Sequence, residues 1–258
     1  MCRWAAYIGD PIYLEEVVTA PGQSLIDQSL RAAEGKTPTN GDGFGLAWYG
    51  ERDAPGLYHD VLPAWADGNL RSLAHQVRSG LFLAHVRAAT GTATSRTNCH
   101  PFAVGRWSFM HNGQAGGYAG FRRRVDMSIE EDCYAHRHGT TDSEALFLMA
   151  LGDGLAGDPK GALERATGRM EAMSRETGVA PHMRMTVAMS DGAAIYCARY
   201  ASDDHAPTLY HRPMNGGRVV VSEPLDRDQD DWEAIPPGAF AVVTAEGVEI
   251  SEFSPREG

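Results

Sequence analysis

Met1-Cys2-Arg3-Trp4-Ala5-Ala6-Tyr7-Ile8-Gly9 opens the chain, and the reading of these nine residues decides the fold. The run Trp4 to Gly9 predicts a strand, ended by a turn at Asp10-Pro11. No basic region leads into an apolar core, so the opening lacks the pattern of a secretory signal. A cysteine at position 2 is small enough for the initiator methionine to be removed, which leaves a free α-amine on Cys2. A free thiol titrates near about 8.5 and an α-amino group at roughly 7.7–8.0. One residue can then supply both a nucleophile and its proton acceptor. A chain that starts Met-Cys by chance is the competing reading, and the rest of the sequence has to decide between them.

Moving outward, Ser24 to Leu30 predicts the start of a helix, and Asn40-Gly41-Asp42-Gly43 a turn feeding the strand Phe44 to Tyr49. A short helix around Leu70 to Val77 leads into the strand Leu81 to Arg87. Pro101 to Val104 and Trp107 to His111 form a strand pair around a two-residue loop, Gly105-Arg106. Asp142 to Leu151 is apolar on all sides after its acidic start, which predicts a helix between layers. Lys160 to Thr177 is amphipathic, with Leu163, Ala166, Met170 and Met173 on one face. Strands return at Met183 to Ser190, Ala193 to Tyr200, Thr208 to His211, Arg218 to Ser222 and Phe240 to Thr244. Pro236-Pro237-Gly238 is a turn before a terminal hairpin. Strands at both ends with helices between them predict layered α+β packing in a single domain spanning 1–258.

Composition limits the function classes. Over 258 residues, 23 Lys and Arg stand against 34 Asp and Glu, a formal net charge of −11. Such a surface repels phosphate backbones, so nucleic acid is not an expected partner. No stretch approaches the roughly 18 uninterrupted apolar residues of a membrane span. Cys2, Cys99, Cys133 and Cys197 are four scattered cysteines, too few to staple a chain of this size, and a cytoplasmic location with reduced thiols is expected.

Five segments carry the functional reading: Met1-Cys2-Arg3; Asn40-Gly41-Asp42-Gly43-Phe44-Gly45; Ala84-His85-Val86-Arg87-Ala88-Ala89-Thr90-Gly91; His111-Asn112-Gly113; and Thr140-Thr141-Asp142-Ser143-Glu144. In order and spacing they resemble the class II glutamine amidotransferases, strongly from Cys2 to Leu151 and more loosely beyond, through the strand pattern and Ser222-Glu223-Pro224-Leu225. The chain looks most like the small stand-alone members of that family, which include the γ-glutamyl hydrolase of ergothioneine synthesis. The resemblance implies the four-layer αββα sandwich of N-terminal-nucleophile hydrolases, and glutamine or a small γ-glutamyl compound as substrate.

The family match also implies roles. Cys2 attacks the amide carbon, and the Asn112 side-chain amide with the Gly113 N–H stabilises the resulting oxyanion. Arg87, with Thr90 beside it, holds the substrate carboxylate, for which a guanidinium fork is well suited. Asp142 takes the ammonium. His100, in Asn98-Cys99-His100-Pro101, shapes the pocket or its covering loop. Each residue also has a plainer reading. Arg87 suits a strand end on the surface, Asn112-Gly113 a type I′ turn, and Thr141-x-x-Glu144 a capping box with Asp142 in the first helical turn.

No cofactor and no metal are expected. Cys133, His136 and His138 lie close in one loop but lack a spaced fourth ligand. Gly41, Gly43 and Gly45 precede no Gly-Lys-Ser/Thr and do not make a phosphate loop. Two departures matter: Ala88 and Gly91 stand where well-known family members carry tryptophan and histidine. A chain of this length is nearly consumed by the hydrolase fold, which leaves no room for an acceptor domain. Hydrolysis of a γ-glutamyl amide is therefore the leading expectation. A glutaminase subunit serving a separate synthetase chain, a non-catalytic γ-glutamyl-binding protein, and self-association into a homo-oligomer stay open at this point.

Overall fold

The computed structural model describes residues 2–34, 39–89, 91–226, 228 and 231–256. Strand β1 (Arg3–Tyr13) sits in the middle of a seven-stranded sheet. On one side it pairs with β10 (Gly217–Val221), followed by β9 (Tyr210–Met214) and β11 (Glu233–Ala234). On the other it pairs with β4 (Arg78–Val86), followed by β2 (Phe44–Tyr49) and β3 (Gly56–Asp60). A six-stranded sheet runs in the order β13 (Val248–Glu252), β12 (Ala239–Val243), β8 (Ile195–Ala201), β7 (Met183–Ser190), β6 (Trp107–Ala115) and β5 (Phe102–Val104). Every recorded pairing in both sheets is antiparallel.

Alternation along β1 explains the layering. Trp4, Ala6 and Ile8 face the second sheet and pack there with Met110, Ala188, Ile195, Cys197 and Ala241. Ala5 and Tyr7 face the other way, into a core shared with α1 (Glu15–Val18), α2 (Leu25–Leu30) and α3 (Gly68–Gln76). Phe109, Val187 and Ala198 of the second sheet pack outward against α4 (Tyr118–Ser128), α6 (Asp142–Gly152) and α7 (Pro159–Arg175). Three apolar cores separated by two sheets make the αββα sandwich that the resemblance implied.

Helix α6 behaves as its composition predicts. Its residues from Ser143 to Ala150 are all buried, between the second sheet and the helices α4, α5 (Glu131–Tyr134) and α7. Helix α2 carries the full capping box, with Ser24 Oγ accepting from Asp27 N and the Asp27 carboxylate accepting from Ser24 N. Cys197 lies in the inter-sheet core, where burial pushes its thiol far above the usual range.

Two sequence expectations are corrected. The first strand does not end at Gly9: β1 continues through Asp10-Pro11 to Tyr13, with a register shift between Ile8 and Ile12 that absorbs the proline as a bulge. Asn112-Gly113 is not a turn either. Both residues lie inside β6, opposite Thr186 and Met185 of β7, and the strand runs on to Ala115. A neighbouring strand supplies the partner that a hairpin turn would otherwise have had to bring. Glycine is required at 113 for another reason: a Cβ there would lie 1.8 Å from the Arg184 carbonyl oxygen.

Candidate active site

Cys2 directly precedes β1. The ladder to β4 begins at Arg3–Val86, so the antiparallel register brings Cys2 beside Arg87 and Ala88. The Ala88 N–H donates to Cys2 Sγ at 3.4 Å, and the Ala88 carbonyl lies 3.6 Å from the same sulfur. Burial raises the thiol pKa, opposed in part by the Ala88 hydrogen bond and by the charges of Arg87 and Arg3. At neutral pH Cys2 is therefore held chiefly as the thiol, and an attack needs a base at hand.

Arg87 is 2% exposed. Its guanidinium donates to the Asp42 carbonyl (3.2 Å), Thr92 Oγ1 (2.6 Å) and the Ala93 carbonyl (3.4 Å). All three are neutral oxygens, so among the described residues its charge is left for an anion. Asp42, in the predicted turn, binds back through its Oδ2 to the Ala89 N–H at 2.8 Å. The plain surface reading of Arg87 is thus corrected: the strand end is buried under the loop that carries Thr92 and Ala93. Thr90 lies outside the described residues.

Asn112 and Gly113 reach the same end of the sandwich from the second sheet. Trp4 Nε1 donates to Thr186 Oγ1 at 3.3 Å, and Thr186 is the cross-strand partner of Asn112. One strand over, His85 Nε2–H donates to the His111 carbonyl at 3.3 Å. These two bonds tie β1 and β4 to β6 and β7 where the nucleophile sits. Asn112 is almost wholly buried, and its Oδ1 has no partner among the described residues.

Asp142 is the first residue of α6. Its Oδ2 accepts from the Ala115 N–H at 2.8 Å, and its Oδ1 from the Ser143 N–H at 2.9 Å. It faces a cleft of 780 Å³ whose walls include Thr92, Ala93, Ala115, Tyr118 and Arg122. Cys2, Arg87, Asn112 and Gly113 are not on those walls; Arg87 reaches the cleft only through Thr92 and Ala93. Only half of the predicted capping box forms. Thr141 Oγ1 accepts from Glu144 N, but the Glu144 carboxylate turns to Arg137, the His138 N–H and the Gly139 N–H.

His100 is not on that cleft. Its ring is 3% exposed and packs at 4.2 Å from the His85 ring and 4.6 Å from Phe102. Gly45 makes this possible, because a Cβ there would lie 2.2 Å from the His100 carbonyl oxygen. Cys99 is also buried, with its thiol donating to the Asp60 and Ser95 carbonyls and pushed up to about 11 by burial. That is a poor second nucleophile. Among the described residues, no group of three or more His, Cys, Asp or Glu is arranged to hold a metal ion, Cys133, His136 and His138 included.

The buried rings near the site have a stability consequence. Burial lowers the His85 pKa to about 3, holds His100 well below its usual value, and lowers His111, against which Asp142 pulls upward. Each ring is neutral when folded but takes a proton near pH 6.5 when unfolded, a value that is about the norm for histidine. The unfolded chain thus binds more protons below that pH, and stability falls as pH drops from there towards 3. Thermal unfolding should show Tm decreasing between pH 7 and pH 5, with a flatter slope in His100→Phe. An unchanged slope in that variant would remove His100 from the cause.

Sequence reading missed Asp42, Thr92, His85 and Glu223 as supports of the site. Asp42, His85 and Glu223 each lie in a quoted segment, Asn40 to Gly45, Ala84 to Gly91 and Ser222 to Leu225, whereas Thr92 left no signal.

Comparison with known proteins identifies the family. The sequence model of the class II glutamine amidotransferases matches residues 16–215. A probable glutamine amidotransferase of Saccharomyces cerevisiae is 33% identical, over 94% of this chain and 82% of its own length. A gamma-glutamyl-hercynylcysteine sulfoxide hydrolase of Mycolicibacterium smegmatis is 28% identical, over 92% of each chain. Among solved structures, a glutamine aminotransferase class-II domain protein of Silicibacter pomeroyi superposes with a TM-score of 0.81 at 47% identity, over 99% of this chain and 100% of that one. The glutamine phosphoribosylpyrophosphate amidotransferase of B. subtilis shares the fold alone, with a TM-score of 0.63 at 15% identity, over 99% of this chain and half of its own. The fold is therefore that of the N-terminal-nucleophile hydrolases, and the chain belongs to the class II glutamine amidotransferases.

Proposed function

We propose that this chain, as one domain over 1–258, hydrolyses the γ-glutamyl amide bond of a small molecule through a thioester on Cys2. The observation that supports the reading is that Cys2 lies beside Arg87 and Ala88, and that the Trp4–Thr186 and His85–His111 bonds tie this end of β1 and β4 to the part of β6 and β7 where Asn112 and Gly113 sit. In this reading Cys2 Sγ attacks the amide carbon and its proton passes to the Cys2 α-amine. The Asn112 amide and Gly113 N–H hold the oxyanion. The C–N bond breaks, the leaving amine takes the proton, and water cleaves the thioester to release glutamate and the thiol. Arg87, with Thr90, takes the α-carboxylate and Asp142 the α-ammonium. His100 stands behind the site, against His85, and shapes it through packing. The raised thiol pKa supports the α-amine as base, since no preformed thiolate is on hand.

The substrate is a γ-glutamyl conjugate larger than glutamine. The relative from Mycolicibacterium smegmatis is itself named for a γ-glutamyl conjugate. Among the described residues no helix is long and apolar enough to cross a membrane. The proposed compartment is the cytoplasm, where a thiol nucleophile such as Cys2 stays reduced. The test compares kcat/KM for glutamine, a γ-glutamyl anilide and γ-glutamyl peptides on the isolated chain. At least one conjugate should exceed glutamine. Turnover of glutamine alone, or activity only after a synthetase chain is added, would favour ammonia delivery to a partner instead.

A further inference from the structure

The nucleophile proposed above is the first residue of a mature chain, and chain ends fray unless something ties them down. The strand ladder begins only at Arg3, so pairing with β4 does not hold Cys2. Displacement of a reacting group by about 1 Å can cost on the order of a hundredfold in rate. The position of Cys2 therefore needs another support.

Arg3 is 1% exposed, although β1 points its side chain away from the second sheet and towards the helices. Its Nε donates to Glu223 Oε2 at 2.6 Å, and its Nη1 folds back to donate to the Cys2 carbonyl at 2.8 Å. Glu223 is itself held, accepting from the Ala33 N–H at 2.8 Å and the Glu34 N–H at 3.1 Å. Next to it, Ser222 extends the ladder of β1 and β10 by one step: its N–H donates to the Trp4 carbonyl, and its Oγ accepts from Trp4 N at 2.9 Å. Gln28 Nε2, from α2, donates to the Pro224 carbonyl at 3.1 Å and anchors the segment to the helical layer.

We propose that Arg3, clamped by Glu223, is the positioning residue of the nucleophile: it grips the Cys2 carbonyl and so fixes both the thiol and the α-amine. Arg3 does not touch the substrate. The guanidinium is needed because its fork serves Glu223 and the Cys2 carbonyl at once, from two nitrogens in fixed geometry; a lysine ammonium is a single point.

The test uses the full chain and rests on the γ-glutamyl hydrolase reading only for its kinetic arm. Arg3→Lys keeps the charge beside Glu223 and loses the second arm. It should lower kcat by about a hundredfold and leave KM within about threefold, since binding groups stay in place. Leu70→Ala, in the core under α3, serves as a stability control: at a comparable fall in Tm it should keep kcat within about twofold. Hydrogen exchange read by mass spectrometry needs no substrate. In Arg3→Lys the N-terminal peptide should lose protection at least tenfold while peptides of β6 and β7 do not change. Native kcat in Arg3→Lys, an equal loss of kcat in Leu70→Ala, or unchanged N-terminal exchange would overturn the positioning role. If the native chain turns over no γ-glutamyl substrate, the functional reading fails, and the exchange arm still decides whether Arg3 holds Cys2.

Discussion

Cys2→Ala should abolish γ-glutamyl hydrolysis and leave the fold intact. No other thiol carries an α-amine of its own to serve as base; in addition Cys197 is sealed in the inter-sheet core, and burial raises Cys99 and, with nearby carboxylates, Cys133. Cys2 is only partly buried and contributes a small side chain, so Tm should change little. An electrophilic glutamine analogue should label the native chain at Cys2 and fail to label the variant. Label found on Cys99 or Cys133 would mean that the nucleophile lies elsewhere. The same mechanism requires a mature chain that begins at Cys2. Intact mass of active protein should show the loss of one methionine; full activity with Met1 retained would rule out the α-amine as base.

Asn112→Ala should lower kcat by roughly a hundredfold or more, because one oxyanion donor is worth roughly 3–4 kcal/mol at the transition state. KM should hardly move, since the charge that Asn112 meets exists only during the reaction. Arg87→Lys and Asp142→Asn should do the opposite and mainly raise KM, because the groups they face keep their charge throughout. Steady-state kinetics of the three variants on one γ-glutamyl substrate separates the two sets. A kcat effect at Arg87 with a KM effect at Asn112 would reverse the assignment.

Much of the sandwich was legible in the chain. A short apolar run after a turn marked Phe44 to Tyr49, and the strand pattern after Pro181 marked Met183 to Ser190 and the strands near the C-terminus; the first two are buried almost throughout, as expected of strands covered on both faces. The all-apolar run after Asp142 announced a helix covered on every side, and α6 is that helix. The errors fell where local signals met a neighbouring strand. Asn-Gly and Asp-Pro favour turns by their own backbone preferences, yet β7 takes up Asn112-Gly113 and a bulge takes up Asp10-Pro11.

By itself, then, the sequence determined the order and type of most of the main elements and the family, and it named the residues proposed to carry chemistry: Cys2, Arg87, Asn112, Gly113 and Asp142. These are readable because side-chain period and functional-group identity are local properties of a chain. Tertiary structure alone decided what each residue leans on. It set neutral oxygens around Arg87, stacked His100 on His85, and turned the Glu144 carboxylate to Arg137. It also brought Glu223 across 220 positions to Arg3. Such partners are selected by packing three cores against two sheets at once, one between them and one on each outer face, and no interval along the sequence encodes that choice.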